Sequence, residues 1–151
     1  MIQRIQTLYL FAAFGLLVGF MFIPLAVINN HLVTTSLNVF GSHDGVLSGL
    51  GSKGMNITHF LSGMVSVILL YSIFLYKNRN KQIKISMLSL YMLILIEACL
   101  CFTLFIGTVP NSIISYHIAV IFPLVSAVLV LLAINAIKKD EALVKSNDRL
   151  R

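Results

Sequence analysis

Ile85 to Val109 is a run of twenty-five largely apolar residues in which the one charged side chain, Glu97, stands near the middle. As a helix rising about 1.5 Å per residue, it is long enough to cross a hydrocarbon layer of roughly 30 Å with some tilt. A carboxylate at that depth costs roughly 2.5 kcal/mol or more, so an acid kept there is a candidate functional group. The run predicts a membrane span and, within it, the first residue to ask about.

Composition extends the conclusion to the whole chain. Of its 151 residues, 58% are hydrophobic and 11% are charged, whereas a soluble domain is about 45–50% apolar and about 25% charged. A water-facing surface could not be assembled from these residues, so membrane lipid is part of the solvent. The formal net charge is +6, but the basic residues border apolar spans, which is how membrane proteins set their orientation. No nucleic-acid partner is expected. The two cysteines, Cys99 and Cys101, sit two apart in the third span, where a helix points them about 200° from each other, and they read as small packing residues.

Three further runs join Ile85–Val109: Leu8–Ile28, Ile57–Tyr76 and Ile113–Ile137. The first follows Arg4, is longer than the core of a secretory signal and lacks a small-residue cleavage site, so it is expected to be a retained transmembrane helix. Gly15 and Gly19 form a small-xxx-small pair suited to close helix approach. Pro24 is expected to bend or end the span. In the fourth run Ala119, Ser126 and Ala133 recur every seven residues as a seam of small side chains, and Pro123 is expected to kink the helix by leaving the carbonyl of Ala119 without its donor. His59, Ser62 and Ser66 place a polar stripe on one face of the second run, expected to face protein.

The long polar segment, residues 29–56, divides in two. Val33, Thr35, Leu37 and Val39 alternate with Thr34, Ser36 and Asn38, which predicts a short strand near Leu32–Phe40. A lone strand is not stable, so it needs a partner from the loop or from the helix ends beneath it. Gly41, Gly45, Gly49, Gly51 and Gly54 mark the remainder as turn or flexible loop. Lys77, Arg79, Lys81 and Lys84 form a basic connector between the second and third spans, and residues 107–112 form a short turn that makes the third and fourth antiparallel. The fourth helix is expected to continue into the charged tail, residues 138–151, which begins with Lys138 and Lys139.

Four crossings gather ten of the eleven basic residues on one side and leave Lys53 on the other. Positive charge marks the cytoplasmic side, so both termini are expected inside and the 29–56 loop outside.

Both ends of the chain resemble a known family. The opening Met1-Ile-Gln-Arg-Ile-Gln-Thr7, the pair Pro24-Leu25, and the tail from Ile137-Lys-Lys-Asp-Glu to Ser-Asn-Asp-Arg-Leu-Arg151 are similar to small Gram-negative bacterial membrane proteins known only as domain of unknown function 4293. The resemblance covers the chain end to end in length and four-span layout, with its specific motifs at the termini. It implies the bacterial inner membrane. It brings no activity, cofactor or catalytic residue to carry over.

At the depth of Glu97 the other spans offer Ser66 and Ser126 but no Lys or Arg, so desolvation favours the neutral acid, a hydrogen-bond donor across helices. The three residues form a candidate intramembrane polar cluster. Glu97 then reads as interhelical glue, or as a proton-relay or ligand group, or as a contact to another subunit. His31, His43, His59 and His117 fall in or near the outer layer with Asp44, but none is spaced as a preformed metal site, so no metal or other cofactor is expected. No nucleotide-binding, zinc-protease or nucleophile-elbow motif occurs, and no catalytic residue is assigned. Together the residues predict a single all-α membrane domain, a four-helix antiparallel transmembrane bundle with a small outer loop able to hold a strand or hairpin. Its expected role is that of an accessory or structural subunit with other membrane subunits or further copies as partners, not an enzyme; the alternative is a small transporter or proton-linked carrier.

Overall fold

The structure, a computed structural model, describes residues 5–30, 33–38, 41–42, 49–76, 78–106 and 113–149. Four helices carry it: α1 (Ile5–Phe22), α2 (Gly49–Phe74), α3 (Arg79–Ile106) and α4 (Phe122–Arg149). All four contain a segment long and apolar enough to cross a membrane. The chain is a multi-pass membrane protein. Each helix packs on its neighbours in chain order, and α4 closes the ring against α1.

What the helices bury follows one rule. Thr58, Ser62, Val65, Leu69 and Ser72 on α2 are buried, as are Gln82, Ser86, Ser89, Leu93, Ile96, Leu100 and Thr103 on α3. The spacing is four, three, four, three, the seam of a left-handed bundle. Leu10, Ala13, Leu17 and Phe20 continue it on α1, and Ala119, Ser126, Val130, Ala133 and Ile137 on the fourth span. Much of this seam is small or hydroxylated, whereas Phe11, Phe60, Phe74, Phe102 and Phe105 point outward. In lipid there is no hydrophobic force to drive large apolar groups inside, so close packing of small residues selects the interface. Only 28% to 39% of each crossing segment is buried by protein, and lipid must cover the rest.

The buried hydroxyls settle within this seam. Ser62, Ser66, Ser89 and Thr103 donate to carbonyls three or four residues back in their own helices, so Ser62 and Ser66 of the expected polar stripe are buried against protein with their hydroxyls bonded within α2. Between α2 and α3, Ser72 and Ser86 hydroxyls meet at 2.9 Å and Gln82 Nε2 donates to the Ser72 carbonyl at 3.1 Å.

Above the bundle lies a four-stranded antiparallel sheet: β1 (Ala26–Asn30), β2 (Val33–Asn38), β3 (Gly41–Ser42) and β4 (Ile113–Tyr116), in the order β3-β2-β1-β4. The alternation near Leu32–Phe40 marks β2, which pairs with β1 from Ala26↔Leu37 to Asn30↔Val33. The second partner of β1 is β4, paired from Ala26↔Tyr116 to Asn29↔Ile113. The first three residues of β1, Ala26–Ile28, and all of β4 fall within stretches expected to be helical, the end of the first span and the start of the fourth. An unbroken apolar run reads alike as helix or buried strand; Pro24 stops α1 at Phe22, and the freed Ala26–Asn30 backbone finds donors and acceptors in both β2 and β4.

Other boundaries move for equally local reasons. Gly49, Gly51 and Gly54, expected in a flexible loop, form the first turns of α2, Gly41 belongs to β3, and Gly45 lies outside the described residues. Arg79, Lys81 and Lys84 belong to α3 rather than to a connector, as suits good helix formers. Pro123 does not kink the middle of a span. Residues Ile118–Ile121 form a 3₁₀ turn, the Phe122 N–H bonds the Ala119 carbonyl, and Pro123 stands in the first turn of α4, where its missing N–H costs nothing. The fourth helix does continue through the charged tail, to Arg149.

Candidate functional site

Glu97 follows Ile96, which is buried in the seam of α3. One residue round the helix from a buried position is a flank, so the carboxyl sits half-buried on the edge of the groove between α3 and α4. Because α3 begins at Arg79, Glu97 lies nine residues from its end at Ile106, or roughly 13 Å along the axis, in the half of the span nearer the sheet rather than at its middle.

The groove widens there into a recess of about 270 Å³. Its floor is Leu93, Pro123 and Ala127, all buried, and its rim is Ile94, Ala98, Cys101 and Leu124, all exposed. Because the rim is exposed, the recess opens outward, on the face the lipid covers, and not towards the axis of the bundle. Every wall is apolar except Glu97 itself. The Oε2 atom of Glu97 is buried without a hydrogen-bond partner among the described residues.

The residues expected to join it do not. Ser126, fully buried, donates to the Ala13 carbonyl at 3.2 Å and ties α4 to α1. Ser66 is satisfied at 2.8 Å by the Ser62 carbonyl of its own helix. Among the described residues no hydrogen bond joins the three groups: the Ser66 and Ser126 hydroxyls reach backbone carbonyls, while Glu97 stands on the flank of the seam.

The expected packing residues divide. Ala119, in the 3₁₀ turn before α4, and Ala133, in α4, are fully buried. A Cβ at Gly19 would touch the Phe122 ring at 3.4 Å, an ordinary van der Waals contact, so Gly19 faces the fourth span but the space would also take an alanine. Gly15 is exposed and a Cβ there would meet nothing within 4 Å; it faces lipid. Among the basic residues, Lys77 lies outside the described residues, Lys81, Lys84, Lys138 and Lys139 are exposed, and Arg79 is engaged. Its Nη2 lies 3.0 Å from Asp140 Oδ2 and its Nη1 donates to the Asp140 carbonyl at 3.1 Å, pinning α3 to α4 at the end opposite the sheet. Both side chains are about one-third or more exposed, which limits such a pair to about 0–1 kcal/mol. His31, His43 and Asp44 lie outside the described residues, and His117 is exposed beyond β4.

Gln82 and its serine neighbours do not stand out in the sequence. Their signal was present, as polar residues at Ser72, Gln82, Ser86 and Ser89 in seam spacing, but a search for apolar periodicity passes over it.

A family model described as "Domain of unknown function (DUF4293)" matches residues 2–150. No curated protein matches the chain.

Proposed function

The chain belongs to the DUF4293 family, and on that premise we propose that it is a structural or accessory subunit of an inner-membrane assembly rather than a carrier or an enzyme. One observation supports this reading above the others: the single intramembrane carboxyl lines a recess that opens to the outside of the bundle, where only lipid or another membrane helix can reach it. A carrier needs a hydrated path among its helices. Here the seam of α3 next to Glu97 is filled by Leu93, Ile96 and Leu100, each fully buried.

The experiment is isolation of the untagged protein from native membranes in mild detergent. A stoichiometric companion, of this or another chain, is the expected result; a protein that comes away only as a single copy under every mild condition tried would defeat the subunit reading.

The location we propose is the bacterial cytoplasmic membrane, with both termini inside. The ten-to-one division of basic residues supports the orientation. Cysteines introduced singly into a variant lacking Cys99 and Cys101 report on it: a membrane-impermeant thiol reagent added from outside is expected to label position 42 and to miss positions 80 and 146. The reverse pattern would invert the topology.

A further inference from the structure

We propose that the end of the α3–α4 groove opposite the sheet binds the phosphate of an anionic phospholipid, held between Lys84 on one edge and Lys138 on the other.

The seam spacing places the two lysines. The buried positions repeat every seven residues, so residues fourteen apart stand on the same side of their helix, two repeats along it. Lys84 comes fourteen residues before Ala98, and Lys138 fourteen after Leu124. Ala98 and Leu124 are exposed side chains on the α3 and α4 edges of the outward recess, so the lysines continue those same two edges towards the helix ends. Arg79 and Asp140, 3.0 Å apart, hold α3 and α4 together there. Lys84 is five residues from Arg79 and Lys138 two from Asp140, which brings the lysines within roughly 5 Å of each other in depth. Lys81 and Lys139 belong to other faces: the residues two repeats from them are Leu95 and Val125, and neither lines the recess.

Charge complementarity names the occupant. Both lysines are exposed, and neither has an ion-pair partner among the described residues. Lipid tails cannot solvate an ammonium, so a lysine on a lipid-facing edge extends its stem until the charge reaches the headgroups. What it meets at that level is phosphate. Two cations on the two edges of one groove concentrate positive potential at its mouth, and basic positions between membrane helices are favoured sites for anionic headgroups. Asp140, which could have neutralised them, is engaged by Arg79. The edges open where the recess opens, towards lipid, which favours a phospholipid over an acidic protein segment.

Native mass spectrometry of the full chain in mild detergent, titrated with dioleoyl phosphatidylglycerol or dioleoyl phosphatidylcholine, tests the proposal. Lys84→Gln combined with Lys138→Gln is expected to weaken binding of the first phosphatidylglycerol about thirtyfold, as the loss of two basic residues near an anionic lipid implies, and to leave phosphatidylcholine binding unchanged. Lys84→Arg with Lys138→Arg should keep the anionic lipid. Lys81→Gln with Lys139→Gln removes the same charge away from the groove and should bind like the wild type. Thermal melting without added lipid checks that each variant is folded. Equal weakening by the two glutamine pairs would show diffuse attraction and overturn the site, as would a wild-type chain that binds both lipids alike. Inorganic phosphate that displaces the lipid more than chloride of equal ionic strength would assign the site to a free anion and overturn the lipid. If losing Lys84 and Lys138 strips a co-purifying protein while the lipid stays bound, the occupant is a protein and the proposal falls. None of these readouts needs a partner subunit, so the result stands apart from the subunit reading.

Discussion

Replacing Ala133 with leucine is expected to destabilise the bundle by about 1–3 kcal/mol, the usual effect of forcing extra methylenes into a filled interior. Ala133 is fully buried on the same face of α4 as Ser126, whose hydroxyl reaches the Ala13 carbonyl across the α1–α4 contact. A leucine there must push α4 away from α1 or leave its preferred rotamer. The loss should exceed that of Ser126→Ala, which removes one interhelical hydrogen bond averaging near 0.6 kcal/mol in membranes. The control is Gly15→Leu, on the lipid face of α1 with open space around it, expected to stay within about 0.5 kcal/mol of wild type. Unfolding midpoints in mixed detergent, measured for all three variants, decide it. If Gly15→Leu is as damaging as Ala133→Leu, the assignment of inner and outer faces of α1 is wrong.

Glu97→Leu is expected to produce the largest loss of function of any substitution in the spans while leaving the monomer intact. No hydrogen bond within the described chain depends on Glu97, so its removal strands no partner, and deleting a buried unpaired oxygen can even stabilise. What leucine removes is the capacity to bond outside the chain. Glu97→Gln restores that capacity without an ionisable proton, so a strain dependent on the gene should grow with Gln and fail with Leu. The same pair of variants tests the carrier reading, because an amide cannot relay protons. A Gln variant that folds and associates normally yet fails to support growth would displace the subunit reading and put proton or cation exchange in its place.

These two expectations draw on very different amounts of sequence information. The seam Ala119–Ser126–Ala133 is legible in the residues, because small side chains at a seven-residue repeat have one economical use in lipid, and the structure buries all three. Gly15 shows the limit of the same rule. Glycine is common in membrane helices, and nothing local distinguishes Gly15, which faces out, from Gly19, which lies against the Phe122 ring.

Four membrane crossings, the division of charge and the β2 alternation follow from the chain taken alone, since each depends on a property a segment carries by itself: length without charge, the sign of its flanks, or period two. The sheet does not. Strand β4 is written in the same apolar letters as the span it precedes, and it becomes a strand because β1, more than eighty residues earlier, lies beside it with unpaired backbone groups. The site divides in the same way. That Glu97 is costly and therefore meaningful is decided by its depth in an apolar run. That it stands apart from Ser66 and Ser126, half-buried in an outward recess, is decided by where the heptad seam of α3 falls against α4, one residue to the side of the acid. Hydropathy could not locate that seam, because in a bilayer both faces of a helix are free to be apolar and only packing against a neighbour tells them apart.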